Sequence, residues 1–401
     1  MRIVLVSNWP RSGRPVSEYA YHLVQGLAEQ DEIEEIFVLA DTFNGVSEQI
    51  ESGKVHVLRC WDYNSKLTLF KLIGKVRELK PDLCWFNTTL GSFGASTANL
   101  PALLTPIVLQ TAGVHTLVTL HNIVELTKMD EIGKTNRLVS LGAKLATWLL
   151  AQTPVCVLIP EYTAVLTEKY KARRVYTIPI GTLGKPCATV SVPDNHTLLC
   201  FGIFGTHKKL EFLLEAMAQL EKEAPWVRLR IVGGSNSHNP SYLDKLMAAY
   251  PLPNVEFVGY IPETEVLREF AQAMAVVMPY TTIGGESATL IQAGMYGKPV
   301  LISDLPFFRN RAEDYSLNFF SNDPQSIKEA ILRFTTHSKD EILRQGEKNL
   351  EAATRYSMAD VCRMYFELIQ NLYRKEALHR GRERRSHQIR LQDLIESRRK
   401  L

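Results

Sequence analysis

The sequence predicts an α/β protein with two doubly wound domains, and three observations support this prediction. Its 401 residues exceed what a single hydrophobic core usually supports. Short runs of consecutive apolar residues, typical of parallel strands that are buried on both faces, alternate with segments of helical periodicity. Each half of the chain also contains a strand that leads through a glycine turn into a helix. We therefore expect two parallel sheets with helices on both faces, facing one cleft.

Composition excludes several classes of protein. Hydrophobic residues make up 45% and charged residues 22% of the chain, which is normal for a soluble globular protein. No apolar stretch is long enough for a membrane span, and the first strand, at residues 2–7, leaves no room for a signal peptide. The six cysteines show no C-x-x-C pairing, so neither a zinc site nor a disulfide framework is expected, and a reducing cytoplasm suits them.

The net charge of +3 is unevenly distributed along the chain. Residues 374–401 contain ten Lys and Arg against four Asp and Glu, whereas the remaining residues contain 36 against 39. This basic tail is either a solvated end of the chain or an electrostatic contact with anionic lipid or an acidic partner. Nucleic acid is not an expected partner, because no aromatic residues are interleaved with the charge.

The first half predicts one complete domain, at residues 1–182. A helix begins near Ser17 as N-cap, and another runs from Leu67 to Leu79. A polar stretch with two prolines and a glycine, 183–196, reads as a hinge or linker. The predicted strands lie at residues 2–7, 33–39, 55–58, 83–87, 114–120, 155–159 and 175–178.

The second half predicts a second domain of the same type, at residues 197–355. Asp323 suits the N-cap of a helix that runs to about Phe334, with Pro324 in its first position. A long helix from Met358 to Tyr373 follows, which makes 356–373 a crossover helix before the basic tail. The predicted strands lie at residues 197–201, 227–232, 255–258, 273–278 and 300–302.

One stretch of the second half, PYTTIGGESATLIQAGMYGKPVLISDLP at residues 279–306, carries most of the functional information. A buried strand enters a turn of small residues, and an almost wholly apolar helix follows from Ala288 to Tyr296. Gly297 closes this helix in the left-handed conformation, with Pro299 just beyond. Free N–H groups at the start of such a helix form a site for phosphate or another anion, although an ordinary turn between strand and helix has the same outline.

The pattern PY-T-x3-GxS followed by A-x3-GKPV and SDLP-x-F resembles the nucleotide-sugar loop of the family-4 glycosyltransferases, a retaining group with the GT-B fold of two Rossmann-like domains. Many members carry two glutamates here, eight residues apart. The equivalent positions hold Gly284 and Gln292, so both acidic groups are replaced, and Gln292 would meet the ribose diol. The resemblance implies that the donor binds at Gly285, Glu286, Ser287, Ala288 and Gln292.

The resemblance extends to LLCFGIFGTHKKLEFLLEAM, where family members hold the donor diphosphate with an Arg and a Lys. Lys208 matches the lysine, and Ile203 occupies the position of the arginine. His207 and Lys209 are candidate substitutes for the missing arginine, and a merely solvated Lys208 is the alternative. The resemblance further assigns donor contacts to Gly202, Gly205, His207, Lys208, and to Gly259 and Tyr260 beside the nucleotide base.

On the acceptor side the resemblance points to the ends of strands in the first half. Gly13 and Arg14 follow the first strand. Asn87 is the last residue of the strand predicted at 83–87, and His121 directly follows the strand predicted at 114–120. Arg14 can also be an ordinary solvated arginine, and His121 a structural histidine.

The activity implied by the resemblance is transfer of a hexose from a nucleoside diphosphate sugar to the hydroxyl of a carbohydrate or lipid-linked acceptor, as in polysaccharide biosynthesis. His121 and Lys208 are the expected catalytic residues. The nucleotide sugar is a co-substrate and no further cofactor is expected; no D-x-D motif lies in a suitable loop, so no metal is expected either. The expected location is cytoplasmic, with peripheral contact at the inner face of the membrane through the tail.

Two alternatives stay open. A sugar-nucleotide epimerase on the same fold would need acidic pairs in the cleft, and no convincing set is present. A catalytically degenerate relative could instead bind a nucleotide sugar or a partner as a scaffold, because both glutamates and the arginine are absent. The sequence does not identify the sugar, the base, the acceptor or the oligomeric state.

Overall fold

A computed structural model describes residues 1–10, 14, 16–42, 49–94, 99–126, 137–236, 239–283 and 285–373. The chain divides into two compact units. Among the described residues, the first unit contains those of 1–121, 148–178 and 359–373, and the second contains those of 122–147 and 179–358. The later segment of the second unit starts at Pro179. The basic tail, 374–401, lies outside the described residues.

The first unit is built on an eight-stranded sheet with the order β3-β4-β2-β1-β5-β6-β7-β8. All pairs are parallel except β3 with β4. Strand β3 is not among the predicted strands, because its residues, QIES, show no apolar run. The strands are β1 (Arg2–Val6), β2 (Glu35–Asp41), β3 (Gln49–Ser52), β4 (Val55–Trp61), β5 (Leu83–Thr88), β6 (Thr116–Leu120), β7 (Val155–Val157) and β8 (Val175–Thr177).

The strands of this sheet alternate with helices. Ser17 is the first helical residue rather than the N-cap, which corrects the prediction. Val16 holds the cap position with a left-handed φ of 64°, and the Ser17 hydroxyl donates to the Arg14 carbonyl. The helices along this part of the chain are α1 (Ser17–Ala28), α2 (Thr68–Leu79), α3 (Asn99–Leu103), α4 (Thr105–Thr111), α5 (Arg137–Leu150) and α6 (Pro160–Ala164). Helix α5 crosses the boundary of the units, since Thr147 belongs to the second and Trp148 to the first.

The last described helix, residues 358–373, packs within the first unit. Tyr365 is buried, and its hydroxyl accepts a hydrogen bond from the Thr119 hydroxyl at 3.3 Å. Its ring lies 4.7 Å from that of Trp85. Cys362 packs against Gly26 so closely that a Cβ at residue 26 would lie 2.5 Å from the Cys362 sulfur. The helix is thus fixed onto β5, β6 and α1.

The second unit is built on a six-stranded, wholly parallel sheet with the order β11-β10-β9-β12-β13-β14. Consecutive strands run outward from β9 in both directions, so the carboxyl end of β9 is the switch point where ligands bind in such sheets. The strands are β9 (Thr197–Phe201), β10 (Arg228–Val232), β11 (Val255–Gly259), β12 (Ala275–Met278), β13 (Val300–Ser303) and β14 (Leu317–Phe320), the last of which the sequence analysis misses.

Helices cover both faces of this sheet and bury an apolar cluster on each. Two predicted helix ends are confirmed. The Asp323 side chain accepts a hydrogen bond from the Ser326 N–H as N-cap, and Gly297 has the left-handed φ of 60° expected after a helix. The helices are α7 (Leu210–Glu223), α8 (Tyr242–Ala249), α9 (Glu263–Gln272), α10 (Ala288–Met295), α11 (Pro306–Arg309), α12 (Pro324–Thr335) and α13 (Lys339–Thr354).

The segment that the sequence predicts as a hinge is bonded to the second unit at several points. Thr182 donates its N–H to the Tyr356 carbonyl, and Cys187 donates its N–H to the Met295 carbonyl at 2.8 Å. The buried Lys298 ammonium reaches the Ser191 carbonyl at 3.2 Å. These bonds join the segment to α10 and its C-terminal turn.

Close packing of α10 against α13 fixes the position of α10. A Cβ at Gly294 would lie 2.6 Å from both the Ala353 Cβ and the Asn349 carbonyl oxygen. The buried Asn349 amide also donates to the Lys298 carbonyl at 2.9 Å. Because the two helix backbones meet at Gly294, only a glycine allows this approach.

We expect Gly294→Ala to lower the free energy of unfolding by about 1–3 kcal/mol, because the added methyl group forces α10 and α13 apart. Thermal unfolding followed by circular dichroism measures this change. The control is Gly74→Ala in α2, where nothing lies within 4 Å of the added Cβ. That substitution should instead stabilise the protein by about 0.5–1 kcal/mol, and equal effects at both positions would contradict the packing argument.

Candidate functional site

The carboxyl ends of three neighbouring strands in the second unit continue into glycines in the left-handed region. Gly202 follows β9 with φ 122°, Gly233 follows β10 with φ 133°, and Gly259 ends β11 with φ 83°. The Gly233 N–H donates to the Gly259 carbonyl at 2.7 Å, and a Cβ on Gly233 would lie 1.9 Å from the Gly202 carbonyl oxygen. The backbone turns therefore nest against each other and leave an edge without side chains at the switch point.

Lys208 is directed into this edge. It ends a 3₁₀ turn, Thr206–Lys208, whose Lys208 N–H donates to the Gly205 carbonyl at 2.9 Å. The side chain is only 7% exposed, and its ammonium lies 5.2 Å from the Phe204 ring centre and 5.0 Å from that of Tyr280. A Cβ on Gly202 would lie 2.7 Å from the same nitrogen, so only a glycine leaves room for it.

No carboxylate of the described residues forms an ion pair with Lys208. Removing an ammonium group from water without an anionic partner is unfavourable, and the two aromatic faces compensate for only part of the lost hydration. The arrangement therefore favours an anion bound beside Lys208.

The start of α10 lies at the same place. A Cβ added to Gly202 would lie 2.7 Å from the Lys208 ammonium nitrogen and 3.3 Å from the Thr289 hydroxyl oxygen. Ser287 is the N-cap, and its hydroxyl accepts from the Leu290 N–H at 3.2 Å. The N–H groups of Ala288 and Thr289 have no acceptor among the described residues, and Ala288 is exposed. Lys208 and the positive end of α10 thus converge on one small space.

The Ser287 N–H is bonded within its own turn. The Glu286 carboxylate accepts this N–H at 3.1 Å, and its other oxygen lies 3.3 Å from the Arg311 guanidinium. Both side chains are largely buried. Glu286 therefore bonds to its own turn and to Arg311, and Gly284 lies outside the described residues.

His207, a candidate substitute for the missing arginine, is half-buried next to Lys208. Burial, with the nearby Lys208 charge as a second cause, lowers the pKa of His207 from 6.5 to about 4. The imidazole is therefore neutral at neutral pH. Lys209 lies over the Phe212 ring, 5.3 Å from its centre, so it is directed onto α7.

The remaining predicted donor residues of the second unit differ in how far their side chains are exposed to solvent. Gly205 is the extended residue before the 3₁₀ turn that carries Lys208. Gln292 is half-buried on α10, one turn beyond Ala288. Tyr260, directly after Gly259, leaves 79% of its side chain exposed, which is unusual for an aromatic residue next to a sheet edge.

In the first unit, Asn87 and His121 meet at the carboxyl ends of β5 and β6. The His121 Nε2 lies 2.6 Å from the Asn87 Oδ1, and the Asn87 amide nitrogen donates to the Ser7 hydroxyl at 3.1 Å. Because the amide oxygen accepts, Nε2 carries the proton and Nδ1 is left as an acceptor. Burial lowers the pKa of His121 from 6.5 to about 3, so this imidazole is also neutral.

Arg14 is paired within the first unit. Its Nε lies 3.1 Å from the fully buried Asp41 carboxylate, and its guanidinium lies 3.6 Å from the centre of the Tyr63 ring. Asp41 also accepts the Trp9 N–H at 3.1 Å. Arg14 therefore compensates a buried negative charge, and Gly13 lies outside the described residues.

Sequence reasoning missed three residues of the second-unit site: Tyr280, Thr289 and Arg311. The PY pair at residues 279–280 is a sequence signal for the aromatic ring beside Lys208. Thr289, in the first turn of α10, is a signal for an additional hydroxyl group. Nothing local in the sequence joins Arg311 to Glu286. The described residues contain no group of three or more His, Cys, Asp or Glu side chains placed to hold a metal ion.

Comparison with known proteins gives a class for the second unit. Residues 188–350 match the family model described as "Glycosyl transferases group 1". This segment includes Lys208, the three glycine turns and the whole of α10. No curated protein sequence matches the chain.

Solved structures confirm the fold class, two parallel-sheet α/β domains of the GT-B type. A sucrose-phosphate synthase from Thermosynechococcus elongatus has a TM-score of 0.75 at 18% identity, over 94% of this chain and 100% of that one. The Anabaena protein HepE, in complex with UDP and glucose, has a TM-score of 0.67 at 15% identity, over 92% and 99%. The trehalose-6-phosphate synthase OtsA has a TM-score of 0.67 at 11% identity, over 92% and 99%. None of the described helices combines the length and apolar composition needed to cross a bilayer.

We expect His121 to remain neutral, with the proton on Nε2, until the pH falls well below 5, which ring-nitrogen NMR shifts report. Its pKa is lower in the folded state, about 3, than the ordinary 6.5. Its contribution to stability is therefore complete above pH 6.5 and is lost as the pH falls from 6.5 towards 3. Asn87→Asp places a carboxylate beside the ring and should raise the pKa. Titration of His121 near 6.5 in the unmodified protein would contradict this description.

Proposed function

We propose that the protein is a hexosyltransferase that uses a nucleoside diphosphate sugar, with the donor bound to the second unit. The observation that carries this proposal is Lys208, a buried ammonium without a described anionic partner, beside the free N–H groups of α10. A diphosphate supplies the anion that this space lacks. The match of residues 188–350 to a glycosyltransferase family supports the same class of activity.

The chemistry follows from where charge develops during transfer. When the bond between the sugar and the diphosphate breaks, negative charge accumulates on the leaving phosphate oxygens. Lys208 stabilises that charge together with the N–H groups of Ala288 and Thr289. These donors are fixed in place before the reaction by Gly202 and by the packing of α10, so little reorganisation is needed. Because they supply positive charge themselves, we propose that transfer needs no metal ion.

The rest of the donor is assigned to the neighbouring edge. In this proposal Gln292 hydrogen-bonds the ribose hydroxyls, and the main chain at Gly259 and Tyr260 borders the base. Structures of similar fold were obtained with UDP and glucose, with UDP-glucose and with UDP-2-fluoro glucose. UDP-hexoses are therefore the first donors to test.

The acceptor is assigned to the first unit. The neutral His121, held by Asn87, offers Nδ1 as an acceptor for a substrate hydroxyl, and Gly13 and Arg14 lie in the loop after β1. We propose a carbohydrate or lipid-linked acceptor and transfer with retention, as in the family-4 enzymes that the loop resembles. The basic tail, residues 374–401, would then give a peripheral contact with an anionic membrane.

A binding role without catalysis is the second candidate. Gly284 and Gln292 replace the two glutamates of the resembled loop, and Ile203, with 52% of its side chain exposed, replaces the arginine. Donor hydrolysis and transfer, measured with a panel of UDP-, GDP- and ADP-sugars, separate the two roles. Specific binding without any turnover would favour the scaffold.

We expect Lys208→Met to weaken binding of the nucleoside diphosphate sugar by about 10- to 100-fold. One charge-assisted hydrogen bond of about 1.5–3 kcal/mol is lost, while the aliphatic volume is kept. Thermal shift with the donor panel measures affinity, and product formation measures turnover. Lys209→Met is the matched control, because Lys209 is directed onto Phe212 and should leave both quantities unchanged. Equal affinity in the Lys208 variant and the unmodified protein would overturn the assignment of the donor site.

A further inference from the structure

A groove of about 470 Å³ lies at the amino ends of three neighbouring strands of the second unit, β9, β10 and β11. Its volume is in the range of sites that bind small molecules. Every residue that lines it belongs to the second unit. Lys208 and the glycine turns lie at the carboxyl ends of the same strands, so this groove is separate from the candidate donor site. We call it the amino-edge groove.

The strand register places four side chains of the amino-edge groove on one face of the sheet. Thr197 and Arg228 are partners in the pairing of β9 with β10. Arg230 and Glu256 are partners in the pairing of β10 with β11. Because Arg228 and Arg230 are two residues apart on one strand, their side chains leave the same face. That face is the one covered by α9, since Arg230 contacts Glu269 of this helix.

The carboxylates around the groove already face guanidinium groups. The Arg230 Nε lies 2.9 Å from the Glu269 carboxylate, which is only 1% exposed, and its Nη1 pairs with Glu256. On α9 itself, the Arg268 guanidinium lies 2.8 Å from the Glu265 carboxylate and 3.6 Å from that of Glu269. Arg230 is therefore fixed in the wall of the groove by its two carboxylate partners.

Arg228 has no such partner. Its backbone N–H donates to the His196 carbonyl at 3.1 Å, but its guanidinium forms no hydrogen bond or ion pair with a described residue. The half-buried Thr197 beside it has a hydroxyl group that is also without a hydrogen-bond partner among the described residues. A guanidinium only donates, in a fork that matches two oxygen atoms of a carboxylate or a phosphate. The groove thus presents an unpaired positive charge next to a free hydroxyl group.

We propose that the amino-edge groove binds a small hydroxylated molecule through its phosphate or carboxylate group. Arg228 binds two oxygen atoms of the anionic group, and the Thr197 hydroxyl donates to one of them. The exposed Gln272 amide, at the end of α9, and the Glu256 carboxylate remain as acceptors for hydroxyl groups of the same molecule. The proposal does not depend on the transferase activity.

Three probes with the same sugar skeleton test the proposal: galactose 6-phosphate, galacturonate and galactose. Each is titrated calorimetrically into the full-length protein. We expect at least one of the two anions to bind about tenfold or more tightly than galactose, because galactose has no charge for Arg228 to bind. The anion that binds more tightly identifies whether the charged group is a phosphate or a carboxylate. Binding should also weaken as the salt concentration rises.

Two variants locate the binding. Arg228→Gln should weaken binding of the anion by about tenfold or more, and Thr197→Val, which keeps the shape of the side chain, by about three- to tenfold. Arg344→Gln is the matched control, since Arg344 is an exposed arginine of α13 that does not line the groove. The control should leave the affinity unchanged. Circular dichroism checks that each variant folds, and if one groove variant does not, the other still decides the question.

Lys208 is a second place where an anion can bind, so the titrations are repeated with Lys208→Met. We expect this variant to bind the preferred anion as the unmodified protein does, and Arg228→Gln to bind the nucleoside diphosphate sugar as before. The proposal for the groove and the proposed function therefore fail on different variants.

Three results would overturn the proposal. Loss of anion binding in Lys208→Met, with none in Arg228→Gln, would assign the anion to the candidate donor site. Equal weakening in Arg228→Gln and Arg344→Gln would reduce the effect to the overall charge of the protein. Absence of binding for both anions would leave Arg228 as an ordinary solvated arginine.

Discussion

The close approach of two backbone turns, at Gly202 and Gly233, determines the arrangement of the second-unit site. With a Cβ on Gly233 only 1.9 Å from the Gly202 carbonyl, no other residue allows the ends of β9 and β10 to nest in this way. Gly202 in turn must lack a side chain, because the Lys208 ammonium and the Thr289 hydroxyl occupy the space where its Cβ would lie. Gly233 is therefore needed for the backbone turns to approach each other, and Gly202 is needed to leave room for the Lys208 ammonium.

The surroundings of Lys208 leave its ammonium charge available to bind an anion. A surface lysine would be hydrated and mobile, whereas this ammonium is enclosed by Phe204 and Tyr280 and has no described carboxylate to neutralise it. The two rings hold the charge in place without cancelling it. The nearby carboxylate, Glu286, is engaged by Arg311 and by its own turn, so it does not neutralise Lys208. The local cost to stability is offset when an anion binds.

Much of the fold and part of the site could be predicted from the sequence, because they depend on local patterns. Apolar runs predicted most strands, and glycine and proline predicted the ends of α10 and α12. Lys208 was pointed to by the family resemblance, aligned on Gly202. The misses have physical causes. Strand β3 lies at an edge and is polar, so it has no apolar signal. The pairs Arg14–Asp41 and Glu286–Arg311 join residues that are far apart in sequence, and no local pattern records which arginine meets which carboxylate.

The two sheet edges differ in their electrostatic character. In the first unit Arg14 compensates Asp41, the buried Arg59 guanidinium donates to the Asp41 and Pro10 carbonyls, and burial lowers the pKa of His121 so that its imidazole is neutral. In the second unit the Lys208 ammonium has no carboxylate partner among the described residues. Dissolved ions screen the attraction of such a charge for an anion, so a rise in ionic strength weakens what Lys208 offers to a negatively charged molecule.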